Sequence, residues 1–120
     1  MKGEQYLTRN AQFQAVYAGG RTWADRNVVF KVMPNALDIS RYGFTVSRRV
    51  GKAVVRNRVK RRLREIVRQA RLKPGWDFII IARVPAAEAE FAELAGSVRR
   101  GLDLTGIAQE GNEGDSRTAD

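Results

Sequence analysis

The chain has 120 residues, of which 22 are Lys or Arg and 13 are Asp or Glu, so its formal net charge is +9. This length allows one domain with a buried core and is too short for two. The positive charge favours a polyanionic partner, either nucleic acid or an anionic membrane.

A membrane is the weaker of these two interpretations. The longest uninterrupted apolar run, Phe78 to Ala82, has the length of a strand and is far too short to span a bilayer. The first ten residues, MKGEQYLTRN, lack the apolar segment of a signal peptide. We therefore expect a cytoplasmic protein that binds no membrane.

The chain contains neither Cys nor His. Disulfides and thiolate zinc sites are thereby excluded, and the commonest metal ligand and general base is missing. Carboxylates alone can hold magnesium, but several of them must converge. Eight of the thirteen acids lie beyond Pro85, mostly on one predicted helix and the C-terminal tail. The sequence therefore predicts no catalytic residue and no metal site.

A short helix is predicted after residue 8, where Thr8 or Asn10 can cap its start and Gly19-Gly20 ends it. Phe13, Val16 and Tyr17 form one apolar edge of this helix, and Arg9 lies near its start. Two interpretations of the aromatic residues stay open. They are core residues, or they are exposed rings that stack on unpaired bases beside positive charge.

Three strands follow, over residues 21–25, 27–33 and 42–47. The second alternates apolar residues on one face with a face that carries Lys31. The third places Gly43, Thr45 and Ser47 on one small, hydroxylated face. That face suits contact with a sugar-phosphate backbone, and it suits a solvent-facing edge equally well.

The run from Ser47 to Lys73 contains about half of the basic residues and has the clearest helical pattern. The pattern predicts one buried apolar stripe, formed by Val55, Val59, Leu63, Ile66 and Ala70. Asn57, Arg61, Arg64 and Arg68 lie on the opposite side. A solvated helix face normally mixes charge signs, because like charges four residues apart weaken a helix. Glu65 is the only acid here, so the pattern favours a surface that binds a polyanion.

After Pro74-Gly75, the segment Trp76 to Val84 is apolar on both faces and is predicted to be a central strand. Ala86 to Leu104 is predicted to be the last helix. Its expected buried stripe is Phe91, Leu94, Ala95, Val98 and Leu102. We expect an α+β sandwich with the order helix, three strands, helix, strand, helix on a four-stranded sheet. It forms one RNA-binding domain over residues 1–104, and the polar, Gly-rich residues 105–120 form a disordered tail.

The segment Ala53–Arg64, AVVRNRVKRRLR, closely resembles the signature of the bacterial ribonuclease P protein subunit, an Arg-Asn-Arg core followed by a Lys-Arg pair. The resemblance runs from about Leu7 to Leu104. It includes the aromatic first helix, the GFTVSRR strand exit and the IIIAR strand, in the order of the family. It implies a left-handed crossover around the basic helix, an exception to the usual right-handed rule.

The resemblance also implies a function. A member of this family works with a large catalytic RNA to remove the 5′ leader from precursor tRNA. Magnesium and the cleavage chemistry then belong to the RNA, and the protein holds the leader and stabilises the holoenzyme. The implied partners are the catalytic RNA and precursor tRNA, with no small-molecule substrate.

Residues that match the family motifs are expected to form two RNA-binding surfaces. The surface that docks on the catalytic RNA consists of Arg56, Asn57, Arg58, Lys60, Arg61 and Arg64, to which we add Arg48, Arg49 and Lys52, three residues that lie where both surfaces could use them. The leader-binding cleft consists of Arg9, Phe13, Tyr17, Lys31 and Ser47. Two positions depart from some members of the family. Lys31 stands where some members have an aromatic residue, so leader binding is expected to depend more on charge and less on stacking. Lys52 stands where others have Asn, which adds charge but removes a side chain that could brace the loop.

Two other functions fit the charge and size. A structural RNA-binding protein of the ribosomal type needs no leader cleft. A DNA-binding module would insert the basic helix into a major groove. The pattern disfavours the latter, because the arginines surround the apolar stripe and do not project from one narrow edge.

Overall fold

The computed structural model describes residues 6–109, and its elements follow the predicted order. They are α1 (Asn10–Gly19), β1 (Arg21–Ala24), β2 (Val28–Pro34), β3 (Arg41–Thr45), α2 (Ala53–Arg68), β4 (Trp76–Ala82) and α3 (Phe91–Leu104), with short 3₁₀ helices at Arg48–Val50 and Val84–Ala87. The predicted α+β class and four-stranded sheet are confirmed.

The strand order in the sheet is β1-β2-β4-β3. As predicted, β4 is central, antiparallel to β2 and parallel to β3. Neighbouring parallel strands need a long connection, and α2 provides it. The left-handed sense of this crossover stays a prediction.

The main core lies between one face of the sheet and the helices α2 and α3. Strand β2 alternates as its sequence requires, with Val28, Phe30 and Val32 fully buried and the residues between them half-buried. Phe30 stacks on Phe78 of β4, with ring centroids 6.1 Å apart. The helices contribute the buried side chains Val59, Leu63, Ile66 and Val67 from α2 and Leu94, Ala95, Val98 and Leu102 from α3.

Helix α1 packs on the other face of the sheet. Val16 is buried there against Ile79 of β4, together with Leu7 from the segment before the helix. The backbone N–H of Leu7 donates to the Tyr42 carbonyl (2.9 Å), so this segment pairs with the outer edge of β3. The start of α1 is held by Gln12, whose side-chain oxygen accepts from the backbone N–H groups of residues 8 and 9. The predicted cap at Thr8 or Asn10 is therefore wrong.

An ion pair fixes the start of the parallel strand pair. Arg41 donates from Nε (2.9 Å) and from Nη2 (2.7 Å) to the two carboxylate oxygens of Asp77. Asn35 donates to the same carboxylate at 2.8 Å, which ties the β2–β3 loop to the sheet. Since Asp77 is buried, its charge is compensated by these three hydrogen bonds.

The C-terminal part differs from the prediction in two respects. Helix α3 begins at Phe91, because the segment containing Pro85 forms a 3₁₀ helix first, and the Phe91 side chain is 42% exposed where a buried one was expected. The domain also continues past Leu104. Ile107 is fully buried, and Ala108 forms an antiparallel bridge with Leu72. The predicted tail is therefore wrong for residues 105–109, and its residues 110–120 lie outside the described residues.

Candidate nucleic-acid interface

Helix α2 presents its predicted apolar stripe to the core, with Val55 half-buried at its start; Ala70 lies beyond the helix end. On the opposite side Asn57, Arg61 and Arg68 are exposed, and Arg64 is half-buried. The sequence therefore predicted correctly which side of the helix is buried and which side faces away from the core.

Two arginines on the flank of α2 have a different role. Arg58 donates from Nη2 to the Ala87 carbonyl at 3.1 Å, and Arg62 donates from Nη1 to the Ala89 carbonyl at 3.3 Å. The Nε of Arg58 is buried and has no hydrogen-bond partner among the described residues. Arg58, expected on the RNA-docking surface, therefore binds α2 to the connection between β4 and α3.

The charge that remains forms one surface, which we call the cationic face of α2. It comprises the exposed residues Arg48, Arg49 and Lys52 before the helix, together with Asn57, Lys60, Arg61, Arg64 and Arg68. Arg56 lies at its margin, where its Nε donates to the Gly51 carbonyl at 3.1 Å. The only acid in the helix, Glu65, accepts a hydrogen bond from Gln69. Within residues 6–109, no residue of this face forms an ion pair with a carboxylate, so the face can accept phosphates.

The cationic face reaches the outer edge of β3. Tyr6 packs edge-on against Tyr42 there, with centroids 5.1 Å apart. Burial raises the pKa of Tyr42 to about 12, helped by the neighbouring Tyr6, while the positive charges of Arg68 and Arg64 oppose the rise. The two arginines therefore lie close to this aromatic pair.

On the opposite face of the sheet, α1 and the strands form a cleft. Phe13 lies over Gly43, where a Cβ would be 2.6 Å from Phe13 Cζ. The Tyr17 hydroxyl forms a 3.0 Å hydrogen bond with the Thr45 hydroxyl. Both rings are half-buried. Each therefore packs on the sheet and keeps part of its surface accessible, so the core interpretation holds in part and stacking on bases stays a prediction.

The floor of the cleft continues beyond the aromatic rings. It is formed by Val29 and Ile81, which are half-buried, and by Thr45. Lys31 lies on the same face, and its Nζ donates to the Thr22 hydroxyl at 2.9 Å. This apolar and hydroxylated floor suits bases and sugars better than phosphates.

The remaining predicted cleft residues lie at its ends. Arg9 is exposed at the start of α1, and Ser47 is exposed just beyond the end of β3. Sequence reasoning missed Ile81 as part of the floor, because a uniformly apolar strand gives no sign of which residues a helix leaves uncovered. It also did not predict that Arg62 holds the connection between β4 and α3, although the four-residue spacing from Arg58 places both arginines on one flank of the helix.

Both surfaces carry groups whose chemistry suits RNA. The chain has no His or Cys. Within residues 6–109, no three acidic side chains lie close enough together to hold a metal ion, and no helix is long and apolar enough to cross a membrane. Arginines can bind phosphates, and half-buried aromatic rings can stack on bases.

Comparisons with known proteins agree with this description. The family model described as Ribonuclease P matches residues 1–105. The ribonuclease P protein component of Dehalococcoides mccartyi (strain ATCC BAA-2266 / KCTC 15142 / 195) is 44% identical over 120 residues, which is 100% of both chains.

Solved structures show the same fold. A Staphylococcus aureus RNase P protein mutant with defective mRNA degradation activity superposes with a TM-score of 0.82 at 31% identity, covering 89% of this chain and 92% of that one. The RNase P protein from Thermotoga maritima gives a TM-score of 0.75 at 27% identity, covering 81% and 94%.

Proposed function

Because the chain belongs to the ribonuclease P protein family, we propose that it holds the 5′ leader of precursor tRNA in the cleft while the cationic face of α2 docks on the catalytic RNA. Its role as a protein component of ribonuclease P follows from the family. What we propose is the role of each surface, with the leader bound in the cleft and the catalytic RNA bound by the cationic face of α2.

The observation that carries the proposal is that the two surfaces differ in chemistry and lie on opposite faces of the sheet. The cationic face of α2 offers guanidinium and ammonium groups, which neutralise phosphates without reading sequence. The cleft offers two accessible aromatic rings above a floor of apolar and hydroxyl groups. A single strand with unstacked bases fits the cleft, and a folded RNA with dense backbone charge fits α2.

The cleavage step is assigned to the RNA. The chain has no His, and residues 6–109 contain no cluster of acids that could hold a metal ion, which supports a protein that supplies binding energy and position. Magnesium in this proposal is held mainly by phosphates of the catalytic RNA. The protein assists by reducing the repulsion between catalytic RNA and substrate, which lowers the magnesium concentration that the reaction needs.

Reconstitution tests this assignment. The chain, its cognate RNA and their mixture are each incubated at low magnesium with a precursor tRNA and, separately, with an mRNA fragment. The mRNA fragment is included because one of the similar structures is that of an RNase P protein mutant with defective mRNA degradation activity. We expect only the mixture to release a mature tRNA 5′ end. Cleavage of either substrate by the RNA-free protein, prepared free of contaminating nuclease, contradicts the proposal.

Aromatic substitution then separates leader binding from general RNA affinity. Phe13→Ala and Tyr17→Ala should each lower the affinity for precursor tRNA by about 1–3 kcal/mol per lost base stack and leave the affinity for mature tRNA unchanged. A structural RNA-binding protein without a leader cleft predicts equal effects on both ligands. Circular dichroism of each variant controls for folding.

A further inference from the structure

A row of cationic side chains on α2 runs beside the outer edge of β3. Lys60, Arg64 and Arg68 are spaced by four residues, which places them on one side of the helix. Helix α2 leads from the end of β3 to the start of the parallel strand β4, so it runs back along β3 and its last turns lie beside the first residues of that strand. The charges of Arg64 and Arg68 oppose the rise in the pKa of Tyr42, which agrees with this placement.

Aromatic rings follow the same edge. Tyr42 is buried against Phe78 of β4, with ring centroids 5.4 Å apart. Tyr6 and Phe44 both pack on Tyr42, with centroids 5.1 and 5.7 Å from its own. These two outer rings are half-buried, so part of each ring is accessible. We call the two rings and the two neighbouring cations the aromatic margin of α2, which consists of Tyr6, Phe44, Arg64 and Arg68.

Strand alternation separates the aromatic margin from the leader cleft. Tyr42 and Phe44 point to the side of the sheet that carries α2, since both contact the main core. Gly43 and Thr45 point to the opposite side, where they contact residues of α1. A leader bound in the cleft lies on the far side of the sheet from the margin. The fitting partner of the margin is therefore the RNA that docks on α2.

The cations of the margin are not neutralised by the protein. Within residues 6–109, neither Arg64 nor Arg68 forms an ion pair with a carboxylate. The two arginines are about 6 Å apart along the helix axis. Tyr42 and Phe44 are about 7 Å apart along β3. The accessible rings and the two cations therefore lie side by side over the same short length.

The backbone edge beside the rings is also open. In the described part of the chain, the outer edge of β3 is paired only at Tyr42, by the bridge with Tyr6 and the N–H of Leu7. Alternate residues of a strand direct their backbone groups to the same side, so the N–H and C=O of Phe44 also face outward. Such groups can form hydrogen bonds with the edge of a base that lies on the neighbouring ring.

This combination of groups suits an unpaired nucleotide better than a duplex. In a duplex the bases are stacked on one another, and the surface presents mainly phosphates and sugars, which gain nothing from an aromatic ring. An unpaired base can stack on a ring, while arginines bind the phosphates on either side of it.

We propose that the aromatic margin binds one unpaired nucleotide of the catalytic RNA, whose base stacks on Tyr6 beside Phe44 and whose flanking phosphates bind Arg64 and Arg68. The inference rests on the proposed function, since it names the RNA feature that the cationic face of α2 recognises. The cationic face then selects a folded RNA that presents an unpaired base at one position, and it discriminates against uninterrupted duplex.

The affinity of the full chain for its cognate catalytic RNA is the first readout. Tyr6→Ala and Tyr6→Leu should each weaken binding by about tenfold, because neither variant offers an aromatic face. Tyr6→Phe should keep the affinity. Since Leu keeps an apolar side chain on Tyr42, thermal unfolding measured in parallel should change less in Tyr6→Leu than in Tyr6→Ala. Trp23→Leu, which removes a half-buried ring at the other edge of the sheet, is the matched control and should keep the affinity.

The dependence on salt separates stacking from charge. Arg64→Gln and Arg68→Gln should each reduce the slope of log affinity against log salt concentration by about 1, since each loses one phosphate contact. Tyr6→Leu should lower the affinity and leave this slope unchanged. Arg99→Gln, at an exposed position of α3, changes net charge equally and should keep both affinity and slope.

Chemical probing of the catalytic RNA locates the nucleotide. One unpaired base should be protected in complexes with the unaltered protein and with Tyr6→Phe, and it should react again with Tyr6→Leu. Replacing that nucleotide with an abasic one should weaken binding of the unaltered protein by about tenfold, the effect of one lost stack. The same replacement should weaken binding of Tyr6→Leu no further, because the two changes remove one interaction.

The outcomes separate this inference from the proposed function. If Arg61→Gln, Arg64→Gln and Arg68→Gln all leave the affinity for the catalytic RNA and its salt slope unchanged, docking on α2 and the role of the margin are refuted together. If these three variants bind more weakly while Tyr6→Leu binds like the unaltered protein, the margin alone is refuted. An equal loss of affinity in Tyr6→Leu for the catalytic RNA and for an uninterrupted RNA duplex also refutes it.

Discussion

The contrast between Arg58 and Arg61 tests the division of α2 into a bracing flank and a cationic face. Both residues belong to the basic motif, and they lie three positions apart on one helix. Arg58 donates to the Ala87 carbonyl and is half-buried, whereas Arg61 is exposed. Replacing each with Gln removes the same charge from the same helix. The structure predicts different consequences for folding.

The size of the effect follows from the contacts. Arg58→Gln removes a hydrogen bond from a charged donor to a half-buried carbonyl, a loss of about 1–3 kcal/mol when the acceptor stays unpaired. For a domain of about 100 residues, each 1 kcal/mol lowers Tm by roughly 4–8 °C. Arg61→Gln should leave Tm unchanged, because an exposed side chain loses only water contacts.

RNA binding gives the opposite ranking. Arg61→Gln should reduce the slope of log affinity against log salt concentration by about 1, since one phosphate contact is lost. Arg58→Gln should change this slope less, because its guanidinium is engaged by the protein. Thermal unfolding followed by circular dichroism and filter binding between about 50 and 200 mM salt measure both quantities. Equal Tm values for the two variants, or a larger slope change in Arg58→Gln, would refute this division of α2.

Three further predictions concern the cleft, the sheet and the turn before β2. Gly43→Ala places a Cβ 2.6 Å from Phe13 Cζ, so the Phe13 ring must move away from the sheet, alone or together with α1. We expect the free energy of unfolding in urea to fall by about 1–3 kcal/mol and leader-bearing tRNA to bind more weakly, and native leader affinity would contradict the packing. Asp77→Asn removes the negative charge that pairs with Arg41. In the same urea assay the free energy of unfolding should fall by about 1–3 kcal/mol, since Arg41 keeps some access to water. An unchanged unfolding midpoint would contradict a stabilising role for this ion pair. Burial tends to raise the pKa of Asp25, but hydrogen bonds from Ser97, from the backbone and from Arg100 outweigh it and lower the pKa below its ordinary value. The stability that this carboxylate contributes is therefore present above about pH 4 and is lost as pH falls through its folded pKa, so Tm of Asp25→Asn should fall less between about pH 4 and 2 than Tm of the unaltered protein.

Much of the fold was predictable because its periodicities are strong. The basic helix has apolar residues on one side only and lies at the surface, and the central strand is apolar on both faces and is covered on both. Their residues therefore indicate both the kind of element and its place in the fold. The helix that follows β4 was misplaced at its start because Pro85 permits a first helical turn in sequence terms, and the chain forms a 3₁₀ helix there. Ile107 was assigned to the tail because a single apolar residue among polar neighbours shows no periodic pattern. In the structure it belongs to the main core, and the segment that carries it pairs with residues 71–73.

The site was predictable in composition and less so in detail. The excess of positive charge on α2 is visible in the sequence, because the signs do not balance. The use of Arg58 and Arg62 as braces depends on backbone carbonyls some 27 residues away or more, and no local pattern reports such partners.

The position of α2 between two adjacent parallel strands has a consequence for the thermodynamics of assembly. A basic segment that is unfolded before it meets RNA must lose its chain entropy during binding, which weakens the complex. Here the crossover is held by buried Val59, Leu63 and Ile66 before any contact is made. The apolar burial offsets the repulsion among its arginines during folding. The electrostatic attraction to a polyanion therefore need not compensate for ordering the helix, and it can contribute to affinity and to a fast encounter.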